Sequence, residues 1–327
     1  MPDGFHPPLR HSSPPTMTSQ RKGILVTGTH RSGTTWMGKI LSLPEEVVYV
    51  QEPFNLETST NSIDYRFRHW FPHVEDLPDR ERLFEAMERT LRFAYVPRPP
   101  AHLSRYRAAR RVVRMHLENA VHRMRGRTPL VKDPLALFSA EELASRFSFD
   151  VVCMIRHPLA FCSSLKRWDW KFPFAHFVEQ PRLMDTFFTD DADVIRDYAG
   201  DEKPIVQQAV LLWNLFHKVI RRYESDHPEW HFRRHVDMVL DPVDRFRALY
   251  DDLELPFGQE IEEHLRESVS GGKGETNTDV YGARDAAAVT QTWKKRLTPE
   301  EADYILAETR ELRAHFYPDE AKVFPTN

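Results

Sequence analysis

Cysteine is nearly missing from these 327 residues: Cys153 and Cys162 are the whole complement, too few for a disulfide framework and without the spacing of a zinc site. The 16 histidines include no His-Glu-x-x-His pair, so no structural metal is expected and a reducing compartment is the default. Long hydrophobic runs are missing too. The run Val151-Val152-Cys153-Met154-Ile155 falls far short of the roughly 18 residues a membrane span needs. The first 20 residues carry prolines at 2, 7, 8, 14 and 15 and no apolar stretch that could serve as a signal peptide. A soluble, cytoplasmic chain with a disordered leader over residues 1–20 is the expectation. Nor is there an excess of charge: 45 basic against 49 acidic residues leave a net −4. No global field exists to hold nucleic acid or an anionic membrane, and any anion site must be local.

What is present is a series of short apolar runs closed by turn chemistry. Ile24-Leu25-Val26 ends in a Gly-containing turn and then a helical pattern from Thr34 to Leu43. Val47 to Val50 ends at Gln51-Glu52-Pro53, Leu130-Val131 at Lys132-Asp133-Pro134, and Phe149 to Ile155 at Arg156-His157-Pro158. Helical segments such as Ala140 to Phe147 lie between them, which predicts a central parallel sheet in an α/β fold. Later helices are predicted over Pro204 to Tyr223, Pro242 to Leu253 and Pro299 to Phe316, each with Pro in or near its first turn. Segment 268–288, with four glycines, reads as a loop. The whole reads as one domain over 21–327, of P-loop-type three-layer architecture, with helical insertions at about 54–127 and 167–203.

The chemistry starts at Gly28-Thr29-His30-Arg31-Ser32-Gly33-Thr34-Thr35, which follows a strand and opens a helix. Its backbone N–H groups and the helix dipole should converge on an anion. A nucleoside-triphosphate loop reads G-x-x-x-x-G-K-[ST], with Lys on the terminal phosphates and a hydroxyl on magnesium. Here Thr34 stands where that Lys would be, and the loop's cation is Arg31, which suits a short anion better than a metal-bridged triphosphate.

Arg31-Ser32-Gly33-Thr34-Thr35-Trp36 resembles the 5′-phosphosulfate loop of the sulfotransferases that use 3′-phosphoadenosine-5′-phosphosulfate (PAPS), most closely the carbohydrate-type and bacterial members. The resemblance implies that Arg31 contacts the bridging oxygen and sulfuryl group. It implies equally that Ser32, Gly33, Thr34 and Thr35 belong to the phosphate cradle and that Trp36 lies beside the adenine; Trp36 could also be core at helical spacing with Ile40. Arg156 and Ser164, eight positions apart after the fourth run, match the pair that holds the 3′-phosphate. Physically, a guanidinium at a strand end pairs bidentately with phosphate, and a hydroxyl on the next helix adds a hydrogen bond. Thr292-Trp293-Lys294-Lys295 with Leu297 is similar to the segment that closes over the nucleotide in this family, and reads as well as a capped helix start. The resemblance covers residues 22–53 and 128–166 well and 205–310 in outline.

Transfer to a hydroxyl needs a base, and cytosolic members supply a histidine after a Lys at a strand end. Here Lys132 is followed by Asp133 and Pro134. Gln51-Glu52-Pro53 instead resembles the Glu-Pro segment of the carbohydrate and bacterial enzymes, which implies Glu52 as base, with Asp133 as runner-up or as a helix cap. A salt bridge to a basic neighbour is the structural alternative for Glu52. Lys132 is expected either to neutralise the leaving phosphate or to be a solvated strand-end lysine. His30 could contact the acceptor or fill a turn; His116, His157 and His217 are taken as structural.

Residues 98–127 hold nine arginines against Glu118 as the one acid, and 168–188 are aromatic-rich. These, with the rest of 54–127, are expected to form the acceptor-side cover. The arginines suit an anionic acceptor, or form a solvated face paired with the acidic stretch 190–202. The acceptor would be a small molecule or glycan, no metal is called for, and PAP would be the product. The rival readings are a metal-dependent P-loop kinase and a nucleotide-binding module without catalysis.

Overall fold

The computed structural model describes residues 22–57, 62–95, 105–269 and 291–320. The expected leader at 1–20 and most of the expected loop at 268–288 lie outside them. Five strands, β1 (Ile24–Gly28), β2 (Val47–Gln51), β3 (Thr128–Lys132), β4 (Asp150–Ile155) and β5 (His231–Arg234), form one parallel sheet in the order β2-β3-β1-β4-β5. The register sets Ile24 beside both Leu130 and Asp150, so the first strand made is the middle one.

Alternation along the strands explains the layers. Ile24, Val26, Leu130, Val152 and Met154 face one side, Leu25, Val131, Val151, Cys153 and Ile155 the other, so each face needs its own apolar cover. On the first side the cover comes from α1 (Thr34–Leu41) and from later helices, of which Met238, Phe246, Leu249 and Tyr250 are the contact residues. On the second it comes from Leu143 of a helix over Ala140–Phe147, from the helix Pro158–Arg167, from the long helix Ile205–Asp226, and from both insertions. This is the α/β three-layer arrangement expected.

In chain order the further helices are α2 (Arg80–Leu91), α3 (Arg105–Met124), α4 (Ala140–Phe147), α5 (Pro158–Arg167), α6 (Ala175–Val178), α7 (Pro181–Phe187), α8 (Ala192–Gly200), α9 (Ile205–Asp226), α10 (His235–Leu240), α11 (Pro242–Asp252), α12 (Gln259–Val269), α13 (Pro299–Glu308) and α14 (Arg310–Phe316). The helix expected over 299–316 is therefore two, parted at Thr309, whose hydroxyl donates to Ile305 O at 2.7 Å and whose backbone leaves the helical region. The two insertions pack on one another: Trp70 N donates to His176 Nδ1, His73 N to Gln180 Oε1, and the Asp76 carboxylate accepts from Arg182 N and Leu183 N.

Candidate active site

The loop after β1 has the geometry of an anion cradle. Gly28 and Gly33 have φ of 125° and 95°, in the left-handed region. A Cβ on Gly28 would stand 2.4 Å from Met154 O, and one on Gly33 2.3 Å from the His235 ring, so neither tolerates a side chain. Between them Arg31, with φ 62°, takes the same strained region without being glycine. No side chain caps α1; the Ser32 hydroxyl donates instead to Thr29 O at 2.5 Å. The first amides of α1 are thus left without an intrahelical or capping partner, as an anion site requires.

Arg31 Nε donates to Ser164 Oγ at 3.1 Å, so the structure joins the phosphate loop to the hydroxyl that sequence spacing associated with Arg156. Arg156 follows β4, and its carbonyl accepts from Trp213 Nε1 at 2.8 Å, which fixes the strand end against α9. The neighbouring His157 is buried, with Nε2 2.8 Å from Glu320 Oε1. His217 stacks on Trp213, with ring centroids 3.9 Å apart, and its Nδ1 lies 2.7 Å from Trp213 O; burial lowers its pKa to about 3. Both are buried, and His116 is exposed on α3. Trp36 is half-buried, its ring 5.1 Å from that of Phe246 and 6.0 Å from that of His235.

At the ends of β2 and β3 stands an ion pair. Lys132 Nζ donates to Glu52 Oε1, with the lysine side chain 1% and the glutamate 19% exposed. Lys132 is therefore not a solvated lysine. Glu52 also has positive φ, 42°, its N donates to Lys132 O at 2.9 Å, and its Oε2 accepts from Asn55 Nδ2 at 2.7 Å. Each carboxylate oxygen keeps a second lone pair, so the group is oriented without being saturated.

Asp133 stands next to this pair but faces the backbone: Oδ2 accepts from Phe54 N at 2.6 Å and Oδ1 from Leu135 N at 3.0 Å. Burial, opposed by those bonds and reinforced by the Glu52 charge, pushes its pKa up to about 7. Its geometry is that of the helix cap.

Sequence reasoning missed the surroundings of His30. Its ring, 8% exposed, lies among Phe71 and Trp170 of the two insertions, Phe161 of α5 and Phe216 of α9, with centroids 4.2 to 5.7 Å away. Neither ring nitrogen has a hydrogen-bond partner, and burial, aided by the Arg31 charge, lowers its pKa to about 3. No local signal could have shown this, because the four rings come from four distant segments.

Among the described residues, the acidic stretch 190–202 and the arginines of 98–127 have these ion pairs. Asp191 pairs with Lys218, Asp193 with Arg196, Asp197 with Lys203 and Glu202 with Lys171, whereas Arg125 and Arg127 pair with Glu45 and Arg114 with Glu118. Thr298 caps α13 in a reciprocal box with Glu301, and Glu301 also holds Lys166 of α5, so the capped-helix reading of that segment describes its local geometry. Among the described residues, no group of His, Cys, Asp or Glu could hold a metal ion, and no helix is long and apolar enough to cross a membrane.

Among solved structures the chain is similar to the sulfotransferase domain from the Synechococcus PCC 7002 olefin synthase, at 16% identity and TM-score 0.48 over 94% of this chain and 98% of that one. It is similar also to the sulfotransferase domain from the curacin biosynthetic pathway, at 15% and 0.45 over 89% and 99%. A third is sulfotransferase STF9 from Mycobacterium avium, at 16% and 0.41 over 89% and 76%. No curated protein matches it by sequence. The profile of the sulfotransferase family matches residues 23–259, from the start of β1 past the loop, the Lys132–Glu52 pair and Arg156, and by that match the chain belongs to the sulfotransferase family.

Proposed function

We propose that the protein transfers the sulfuryl group of PAPS to a hydroxyl of a glycan or polar metabolite, an amine being the lesser alternative. The observation that carries this reading is the Arg31–Ser164 contact, which ties an uncapped helix N-terminus to the helix behind Arg156 and so gives two linked anion sites. A donor with both a 5′-phosphosulfate and a 3′-phosphate matches two such sites. Ser32, Gly33, Thr34 and Thr35 would cradle the 5′-phosphate, Arg156 and Ser164 would hold the 3′-phosphate, and Trp36 would flank the adenine.

Glu52 takes the acceptor proton as the acceptor oxygen bonds to sulfur. The bond from sulfur to the 5′-phosphate oxygen breaks, and PAP leaves with a charge that Arg31 and the loop amides neutralise. Lys132, already on Glu52, orients the base and supplies positive charge beside the leaving group. Asp133 is the alternative base, but both its oxygens are engaged by amides. Against a kinase stands Thr34, where phosphoryl transfer would need lysine. Against a module without catalysis stands the oriented, partly exposed Glu52.

Binding separates these readings. PAP at 100 times its Kd should stabilise the fold by about 2.7 kcal/mol, with no need of magnesium. Arg31→Ala and Arg156→Ala should each weaken PAP binding about 10- to 100-fold, the worth of a charge-assisted hydrogen bond. Sulfuryl transfer should persist in a chelator. Magnesium-dependent phosphoryl transfer from ATP would overturn the proposal in favour of the kinase.

A further inference from the structure

Beyond residue 259, where the match to the family profile ends, α14 runs into a short segment, 317–320, that folds back on the ends of β4 and β5. Two carboxylates hold it there. Asp319 accepts from Arg234 Nη1 at 2.5 Å and from Nη2 at 3.0 Å, a bidentate pair at the end of β5. Glu320 reaches the residue after Arg156: its Oε1 lies 2.8 Å from His157 Nε2, and its Oε2 accepts from Arg313 of α14. Tyr317 packs between the two, its ring 4.9 Å from that of His157 and 5.3 Å from the Arg234 guanidinium.

The chemistry of His157 sets the direction of its bond. Burial, with the charges of Arg313 and Arg156, holds its pKa well below the ordinary value, so the ring is neutral. A carboxylate only accepts, so Nε2 carries the hydrogen and donates it to Glu320. The backbone where β4 passes into α5 is thereby gripped from two sides. On one, the Arg156 carbonyl accepts from Trp213 Nε1 of α9; on the other, the His157 ring is tied to Glu320. The Arg156 charge acts on both His157 and Tyr317, which puts its guanidinium alongside the same segment.

We infer that Glu320 is a positioning residue for the 3′-phosphate site, fixing through His157 the backbone from which Arg156 reaches the phosphate. This rests on the donor reading above, in which Arg156 holds that phosphate. A long side chain gives up rotamer freedom when it grips an anion, and a backbone already fixed confines that loss to the side chain itself. A tie that served stability alone would gain more from apolar contacts than from a carboxylate set against a buried ring. Both ties of the segment instead fall at the carboxyl ends of neighbouring parallel strands, where open α/β sheets bind ligands.

The test measures Kd for PAP and for 5′-AMP, which lacks the 3′-phosphate, on the full chain well below its melting temperature. Glu320→Ala should weaken PAP binding about 10-fold and leave 5′-AMP binding within about 2-fold. Glu320→Gln, whose amide oxygen can still accept from His157, should weaken PAP binding about 3-fold, and it keeps the test readable if Glu320→Ala does not fold. With Arg156→Ala already in place, Glu320→Ala should weaken PAP binding no further, because the two act as one unit. A merely structural role predicts that PAP and 5′-AMP lose affinity together and that the two losses add. Either result overturns the inference, as does PAP affinity indifferent to both Glu320 variants. Wild-type protein that binds 5′-AMP as tightly as PAP, or PAP binding unaffected by Arg156→Ala, overturns the donor reading itself and the inference with it.

Discussion

Glu52 combines backbone strain with an ion pair, and His30 buries two unpartnered nitrogens. Glu52, proposed above as the base, is held in the left-handed region against a buried lysine. Glu52→Gln should keep PAP affinity, because the shape is unchanged, while lowering turnover by about 10²- to 10⁴-fold, the usual worth of a positioned base. Asp133→Asn gives the contrasting result: one amide loses its acceptor, so the fold weakens by about 1 to 3 kcal/mol while turnover per folded molecule is kept. Turnover lost in Asp133→Asn and kept in Glu52→Gln would exchange their roles. His30 is the second case. Phenylalanine keeps the ring in its aromatic surroundings and removes two unsatisfied nitrogens, so His30→Phe should stabilise the fold by about 1 to 3 kcal/mol at neutral pH. The folded pKa near 3 lies below the unfolded 6.5, so the unfolded state takes the proton first and the wild type loses stability as pH falls below 6.5. The gap between variant and wild type should therefore widen by about 2 kcal/mol between pH 7 and pH 5 in paired urea melts. A gap that stays constant would mean His30 is solvated in both states. Arg31 and Glu52 were legible as residues because each sits in a short local motif. The Lys132–Glu52 pair was not, since its members lie 80 positions apart and only the pairing of β2 with β3 brings them together.

At the level of elements, a clamp behind the site stands out. α5 carries Ser164 on one side and Lys166 on another, and Lys166 is held by Glu301 in the first turn of α13 at 2.6 and 2.7 Å. Glu301 serves twice, since it also closes the capping box with Thr298. Glu301→Ala should cost about 1 to 2 kcal/mol, most of it from the cap because the ion pair is partly exposed, and Glu301→Gln should restore the larger part by keeping the reciprocal bond. Equal loss in both variants would place the energy in the Lys166 pair. Four strands and the helices α1, α4, α9 and α11 were readable because β-branched runs end in turn chemistry and proline stands near several helix starts. α4 was found at its observed bounds, and α9 ran three residues beyond its predicted end. β5 was not foreseen. His231-Phe232-Arg233-Arg234 has neither β-branched residues nor a buried face, and it is a strand because β4 offers it a ladder while Asp252, Asp237 and Asp319 hold its arginines. Tertiary pairing overrode local propensity there.

For the whole molecule, the sheet order has a consequence for synthesis. β1 has β3 and β4 as its neighbours, and both are encoded more than a hundred residues later. A ribosome working at roughly 5 to 20 residues per second needs about 6 to 25 s to go from Gly28 to Ile155. Until β3 is made the emerging chain carries Ile24-Leu25-Val26 with both edges unpartnered, and until β4 is made with one edge still open. Nascent chains released before β4 should accordingly aggregate or stay chaperone-bound, and stalled chains long enough to expose Ile155 should be the first to show a folding force. The loop that follows that strand, proposed above to bind the donor, can take up its observed geometry only after the ribosome has delivered its neighbours.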